Sequence, residues 1–164
     1  ARLGALSADH LENASAETVA AMAASGTIAT LLPGAGLTQT GTARPPVAQF
    51  RRTGVPMAIA TNCNPGSSPT TSPMTMMNMA CHLFGMSADE ALAGFTRNAA
   101  MALALDDDIG TIEVGKAADL AIWDVSHPSE LSYYVGDNRC SAVIKAGEEI
   151  FRHDTCRCSQ WSHR

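Results

Sequence analysis

Val55-Pro56-Met57-Ala58-Ile59-Ala60-Thr61-Asn62-Cys63-Asn64-Pro65-Gly66-Ser67-Ser68-Pro69 starts as an apolar run and ends as a polar one. Val55 to Thr61 reads as a strand buried on both faces, because its apolar character does not alternate. Asn62 to Pro69 is built from residues that turns select. Upstream the same grammar occurs twice more. Thr27 to Leu32 is β-branched and apolar and stops at Pro33-Gly34, and the short run Leu3 to Ala8 ends in Asp9-His10.

Helices fill the intervals. Ser15 caps the first, with Glu17 in its opening turn, Val19, Ala20, Met22 and Ala23 on one face, and Gly26 closing it. Pro45-Pro46 opens the second, which runs through Val47, Phe50 and Arg51 to Gly54. Continuously apolar strands separated by amphipathic helices predict a parallel sheet covered by helices. No glycine-rich phosphate loop follows any strand, which argues against nucleotide binding. Each strand instead ends in polar or turn residues, as in a (β/α) barrel, where the C-terminal strand ends carry the chemistry.

Beyond this unit, Met76, Met79, Ala80 and Leu83 share a helical face that Met77 and Phe84 widen. Methionines at that spacing are core filler rather than a ligand surface. Gly85-Met86 breaks the helix, Ser87-x-x-Glu90 is a capping box, and the next helix is expected to bury Leu92, Phe95, Ala99 and Leu103. From Ile109 the pattern changes. Gly110 to Lys116 and Asp119 to Val125 read as strands, and Ala142 to Lys145 with Glu149 to Phe151 as a hairpin about Ala146-Gly147-Glu148. These predict part of a small β-domain over residues 109–153, after a partial barrel over 1–108. Residues 154–164 lack periodicity and are expected to be a disordered tail.

Composition narrows the function. A hydrophobic fraction of 46% with 16% charged residues is that of an ordinary globular protein, and 5% aromatics favours helices packed on a sheet over an aromatic-rich sandwich. A net charge of −5 argues against a nucleic-acid partner. No apolar run approaches the ~20 residues of a membrane span, and no signal peptide opens the chain. The start at Ala1 without Met leads us to expect that the natural chain begins upstream. Five cysteines make no disulfide framework. Cys63 and Cys81 read as reduced thiols in mixed apolar surroundings, and Cys156-x-Cys158 is weak evidence for zinc. The expected compartment is the cytoplasm.

Three segments carry a resemblance: Ser7-Ala8-Asp9-His10-Leu11, the run Ala60 to Pro69, and Gly110-Thr111-Ile112-Glu113-Val114-Gly115-Lys116-Ala117-Ala118-Asp119-Leu120. Together they resemble the imidazolonepropionase family of the amidohydrolase superfamily. The likeness continues through Met76 to Phe84 and Ser87 to Leu92, and it fails beyond His153. It implies the C-terminal part of a (β/α)8 TIM-type barrel, about strands six to eight, plus part of a small β-sandwich. It also implies hydrolysis of the cyclic amide 4-imidazolone-5-propanoate to N-formimidoyl-L-glutamate in histidine breakdown.

The resemblance further implies one zinc or iron ion, a small-molecule substrate and a homodimer of the full-length protein. His10 matches the family's strand-six histidine, which polarises the carbonyl or stabilises the developing oxyanion. Read from residues alone, it is a capping or core histidine paired with Asp9. Asn64, Gly66 and Ser67 match positions that hold substrate or product. Asn62 stands where amidohydrolases commonly carry a metal-ligating aspartate, so it brings a neutral donor in place of a charge and a general base. The loop Gly36 to Arg44 also departs from the family pattern, which puts substrate specificity in question. The family's His-x-His pair and later histidine have no counterparts here, so the polypeptide alone is expected to be catalytically silent. Three strands cannot close an eight-stranded barrel, so one edge and one sheet face are expected to stay uncovered and the polypeptide to be prone to aggregate. Two other readings fit less of the sequence: a deaminase or cyclic-imidase relative, and a non-catalytic barrel homologue that binds a small acid.

Overall fold

A computed structural model describes residues 3–38, 41 and 43–153. The tail 154–164, with Cys156 and Cys158, and part of the loop Gly36 to Arg44 lie outside the described residues. β1 (Ser7–Asp9), α1 (Ala16–Ser25), β2 (Ile28–Leu31), α2 (Val47–Thr53) and β3 (Met57–Ile59) alternate along the chain. A 3-10 turn, Pro33–Leu37, lies between β2 and α2. The strands form one parallel sheet in the order β1-β2-β3. Asp9 pairs with Thr30, and Leu31 with Ile59. Parallel neighbours need a crossover, and α1 and α2 supply them.

The start and stop signals act as read. Ser15 Oγ accepts from Thr18 N at the head of α1, and Gly26 and Gly54 end α1 and α2 in the left-handed region at φ 72°. The first strand is shorter than its apolar run suggests: Leu3 and Leu6 are exposed. With no described strand on its far side, that run has nothing to pack against.

Behind the sheet lies one core. Val19 and Met22 of α1, Val47 and Phe50 of α2, Ala29 and Leu31 of β2, and Met57 and Ile59 of β3 meet there. α3 (Pro73–Phe84) and α4 (Ala88–Phe95) add Met74, Met76, Met77, Ala80 and Ala91, so the methionines are core residues. α4 sits so close to β3 that a Cβ on Gly94 would lie 2.9 Å from Ile59 Cγ1. The capping box forms, with Glu90 N donating to Ser87 Oγ and Ser87 N to Glu90 Oε2. The same carboxylate takes a two-pronged contact from Arg51, Nε to Oε1 and Nη2 to Oε2 at 2.7 Å each, while Arg51 Nη2 also donates to Gly85 O. This bond to Arg51 holds the Glu90 carboxyl below the usual carboxylate range.

Three expectations need correction. The helix after Ser87 is not continuous: it breaks at Thr96, φ −118° and ψ −102°, and resumes as α5 (Arg97–Ala102). Leu103 is consequently exposed, and Ala91, Gly94 and Ala100 take the buried places. Neither face of β2 or β3 stands open, since every residue of both is buried. α5 packs against β2 and β3, and Asn98 Nδ2 donates to Met57 O. Lastly, Gly110 to Lys116 forms turns rather than a strand, closed by Lys116 Nζ donating to Thr111 Oγ1 and Asp106 O. Ile112 and Val114 are exposed there. A strand needs a ladder partner, and no described residue supplies one.

The second sheet is antiparallel, β4 (Leu120–Trp123), β5 (Cys140–Lys145) and β6 (Glu148–Arg152), in that order. Ala146 and Gly147, at φ 52° and 85°, make the hairpin turn. Asp119 fastens it: its carboxylate accepts from Lys145 Nζ and from Ala146 N, and these bonds, Lys145 first, hold it below the usual range. Trp123 and Val125 pack on the main core, as does Leu131 of α6 (Glu130–Tyr133). Buried Asn78 of α3 donates to the carbonyls of Ser132 and Tyr133 and ties α6 down. No helix among the described residues is long and apolar enough to cross a membrane.

Candidate active-site rim

Because β1, β2 and β3 are parallel and in register, their C-terminal ends share one rim. His10 leaves β1 there, Leu32-Pro33-Gly34 leaves β2, and Ala60 to Asn62 leaves β3. The ladder extends into these ends: His10 N donates to Thr30 O and Ala60 N to Leu31 O, both at 3.1 Å.

His10 and Leu11 adopt consecutive left-handed conformations, φ 69° and 68°, uncommon for residues with side chains. Leu11 packs on the core and its carbonyl accepts from Ala14 N, which holds the turn. The ring is not paired with Asp9, as the residue-only reading has it. His10 Nδ1 lies 3.2 Å from Glu12 Oε1 instead. No pattern in the sequence marks Glu12, because β1 has ended at Asp9 and the pair meets across a left-handed turn, where the two-residue period of a strand no longer applies.

Asn64, Gly66 and Ser67 come together in one tight turn. Asn64 Oδ1 accepts from Gly66 N at 2.9 Å and Ser67 N at 2.8 Å, while its Nδ2 donates to Asn62 O and Ser67 Oγ. Both lone pairs and both amide protons of Asn64 are therefore engaged. Asn64 shapes the turn, and a ligand would have to displace one of these bonds to reach its carboxamide. Asn62 sits at φ 48°, a conformation its residue type tolerates.

Two ties unnoticed in the sequence fasten this turn to the end of β2. Thr38 Oγ1 donates to Ser67 O at 3.0 Å. Ser68, wholly buried, donates from Oγ to Thr61 O at 2.6 Å and lies against Gly34, where a Cβ would fall 1.9 Å from Ser68 Oγ. The glycine after Pro33 is thus a packing requirement as well as a strand stop. Below the rim, the Thr30 hydroxyl is buried with no hydrogen-bond partner among the described residues.

Hydrolytic zinc usually takes three protein ligands and a water. Among the described residues no group of three His, Cys, Asp or Glu could hold a metal ion. His82 lies in the last turn of α3, His127 Nδ1 bonds Ser129 Oγ, and His153 follows β6, while the side-chain partner of His10 is Glu12. No bond joins His10 to the Asn62–Ser67 turn among those residues. This donor set does not fit a metal by itself: Asn62 offers a neutral amide, and one His10 nitrogen faces Glu12. Cys63 is exposed rather than in apolar surroundings, whereas burial pushes the half-buried Cys81 thiol up.

The profile of the amidohydrolase family matches residues 4–150. Imidazolonepropionase of Caulobacter vibrioides is 58% identical over 147 residues, 90% of this chain, and that of Maricaulis maris 55% over 148 residues. The chain spans about 37% of the length of each. Among solved structures, a zinc-bound adenosine deaminase from Xanthomonas campestris superposes with a TM-score of 0.74 at 25% identity, over 96% of this chain and 41% of its own. With the family pattern running through nearly every described element, the chain belongs to the amidohydrolase family.

Proposed function

We propose that this chain is the C-terminal part of an imidazolonepropionase, contributing strands six to eight of its (β/α)8 barrel and part of its small β-sandwich. On this reading the whole protein hydrolyses 4-imidazolone-5-propanoate to N-formimidoyl-L-glutamate in the cytoplasm. The observation that carries it is 55–58% identity over 90% of the chain to relatives bearing that name. His10, at the rim, polarises the ring carbonyl or holds the developing oxyanion. Ser67 presents its hydroxyl and Gly66 its open backbone to the substrate, and Asn64 keeps both in place. The divalent metal, zinc or iron, takes its ligands from the portion this chain does not span, with Asn62 adding at most one neutral oxygen.

The test is a chimera in which residues 4–150 replace the matching segment of the Caulobacter vibrioides relative. Its Asn62→Asp form is expected to turn over imidazolonepropionate, with the Asn62 form slower by about 10²–10⁴-fold for want of a base. Asn62 itself favours a second reading, a homologue that binds a small acid without turnover. Chimeras that fold, retain metal and bind product, yet are silent in both forms, would establish that reading instead.

A further inference from the structure

The His10–Glu12 pair is the feature of the rim that the family reading leaves unexplained. A carboxylate carries no proton to donate, so the hydrogen bond between the two has His10 Nδ1–H donating to Glu12 Oε1. That leaves Nε2 as the free ring nitrogen, and no described residue bonds it. The backbone is arranged to keep the pair: His10 N is fixed to Thr30 O at 3.1 Å, Leu11 is packed on the core, and both residues hold φ near 69°. Glu12 is the more enclosed partner, its side chain 22% exposed against 52% for His10. Left-handed conformations at two successive side-chain-bearing residues are strained and persist where the surroundings over-determine them. A plain surface ion pair would need no such turn.

We propose that Glu12 is a positioning residue for His10: it fixes the Nδ1–H tautomer and the ring's orientation, and so presents Nε2 at the strand-end rim as the working nitrogen. This deepens the imidazolonepropionase reading and rests on it for what Nε2 acts upon. In the neutral ring Nε2 is an acceptor, and it polarises the carbonyl or meets the oxyanion only when it too carries a proton, in the imidazolium whose charge Glu12 balances. Glu12 touches no substrate; its influence passes through the ring.

The experiment is nitrogen NMR of the chimera that carries residues 4–150 in the Caulobacter vibrioides relative, labelled at histidine and recorded near pH 9, above the usual imidazole range of about 6.5. Comparison with a His10→Gln sample assigns the His10 signals. In the chimera without further change, His10 is expected to carry its proton mainly on Nδ1. Glu12→Ala should move most of it to Nε2, the tautomer that free histidine favours, with the melting temperature little changed. Glu12→Gln, which keeps an acceptor oxygen, should restore part of the Nδ1–H population. A majority Nε2–H tautomer in that unaltered chimera overturns the proposal, and that spectrum decides even should Glu12→Ala fail to fold. Retention of Nδ1–H in a folded Glu12→Ala chimera overturns it as well. Turnover plays no part in these readings, so a silent chimera and a wrong tautomer are separate failures.

Discussion

The parallel sheet and the antiparallel sheet differ in how completely the described chain satisfies them. In β2 and β3 every residue is buried, and the loops at their ends are cross-tied through Thr38, Ser68 and Gly34. In β6 every residue is exposed, including Ile150 at 64% and Phe151 at 45%. Ile112 and Val114, in the turns before β4, are exposed as well. Two strands of the first sheet are fully enclosed, leaving only its β1 edge open, while the second sheet is rooted on the same core by Trp123, Val125 and Leu131 and leaves an apolar margin open. The lesson is that a domain's parts need not be equally self-sufficient. Buried apolar area stabilises locally, and an unpaired edge is a template for association.

Substitutions can break or sharpen this contrast. Phe50→Ala, at a wholly buried position in the core, should cost about 3–5 kcal/mol in urea unfolding. A loss below 1 kcal/mol there would deny that the parallel half carries the stability. Gly34→Ala drives a Cβ into Ser68 and should cost about 1–3 kcal/mol. Loss of the Ser67 and Ser68 amide signals ahead of global melting would show that the damage begins at the rim. Thr30→Val removes the unpartnered hydroxyl at nearly constant shape, and should stabilise by about 1 kcal/mol, seen as a higher melting temperature.

Acid sharpens the contrast differently. Glu90 is held below its ordinary range by Arg51, so it lends stability at neutral pH. That contribution declines as pH falls from about 4.3, the unfolded value, through the lowered folded value. In Glu90→Gln the unfolding free energy should therefore vary less with pH across this window. An unchanged slope would dismiss the Arg51 contact as inconsequential. Least of all, Ile150→Ser should alter stability by no more than about 0.5 kcal/mol, because the side chain is already in water. Its visible effect should be reduced self-association in sedimentation, and no reduction would mean that the β6 margin is not the sticky surface.

The strand–helix alternation, the caps at Ser15 and Ser87, the methionine core and the Ala146-Gly147 hairpin were all legible in the residues, because each depends on local propensity and on neighbours close in sequence. So was the placing of His10 and Asn62 at strand ends, since a polar residue after an apolar run marks where a strand leaves the core. Other features depend on what stands opposite in space. Gly110 to Lys116 has strand-like residues but no partner, so it turns, and the helix after Ser87 breaks where α5 docks on the sheet. The pairing of His10 with Glu12, the filling of all four Asn64 valences and the fit of Ser68 against Gly34 follow from side-chain directions that no one-dimensional period encodes. Sequence set the segments and their chemistry; tertiary structure alone decided which groups meet, because hydrogen bonds and close packing act over a few ångströms whatever the distance along the chain.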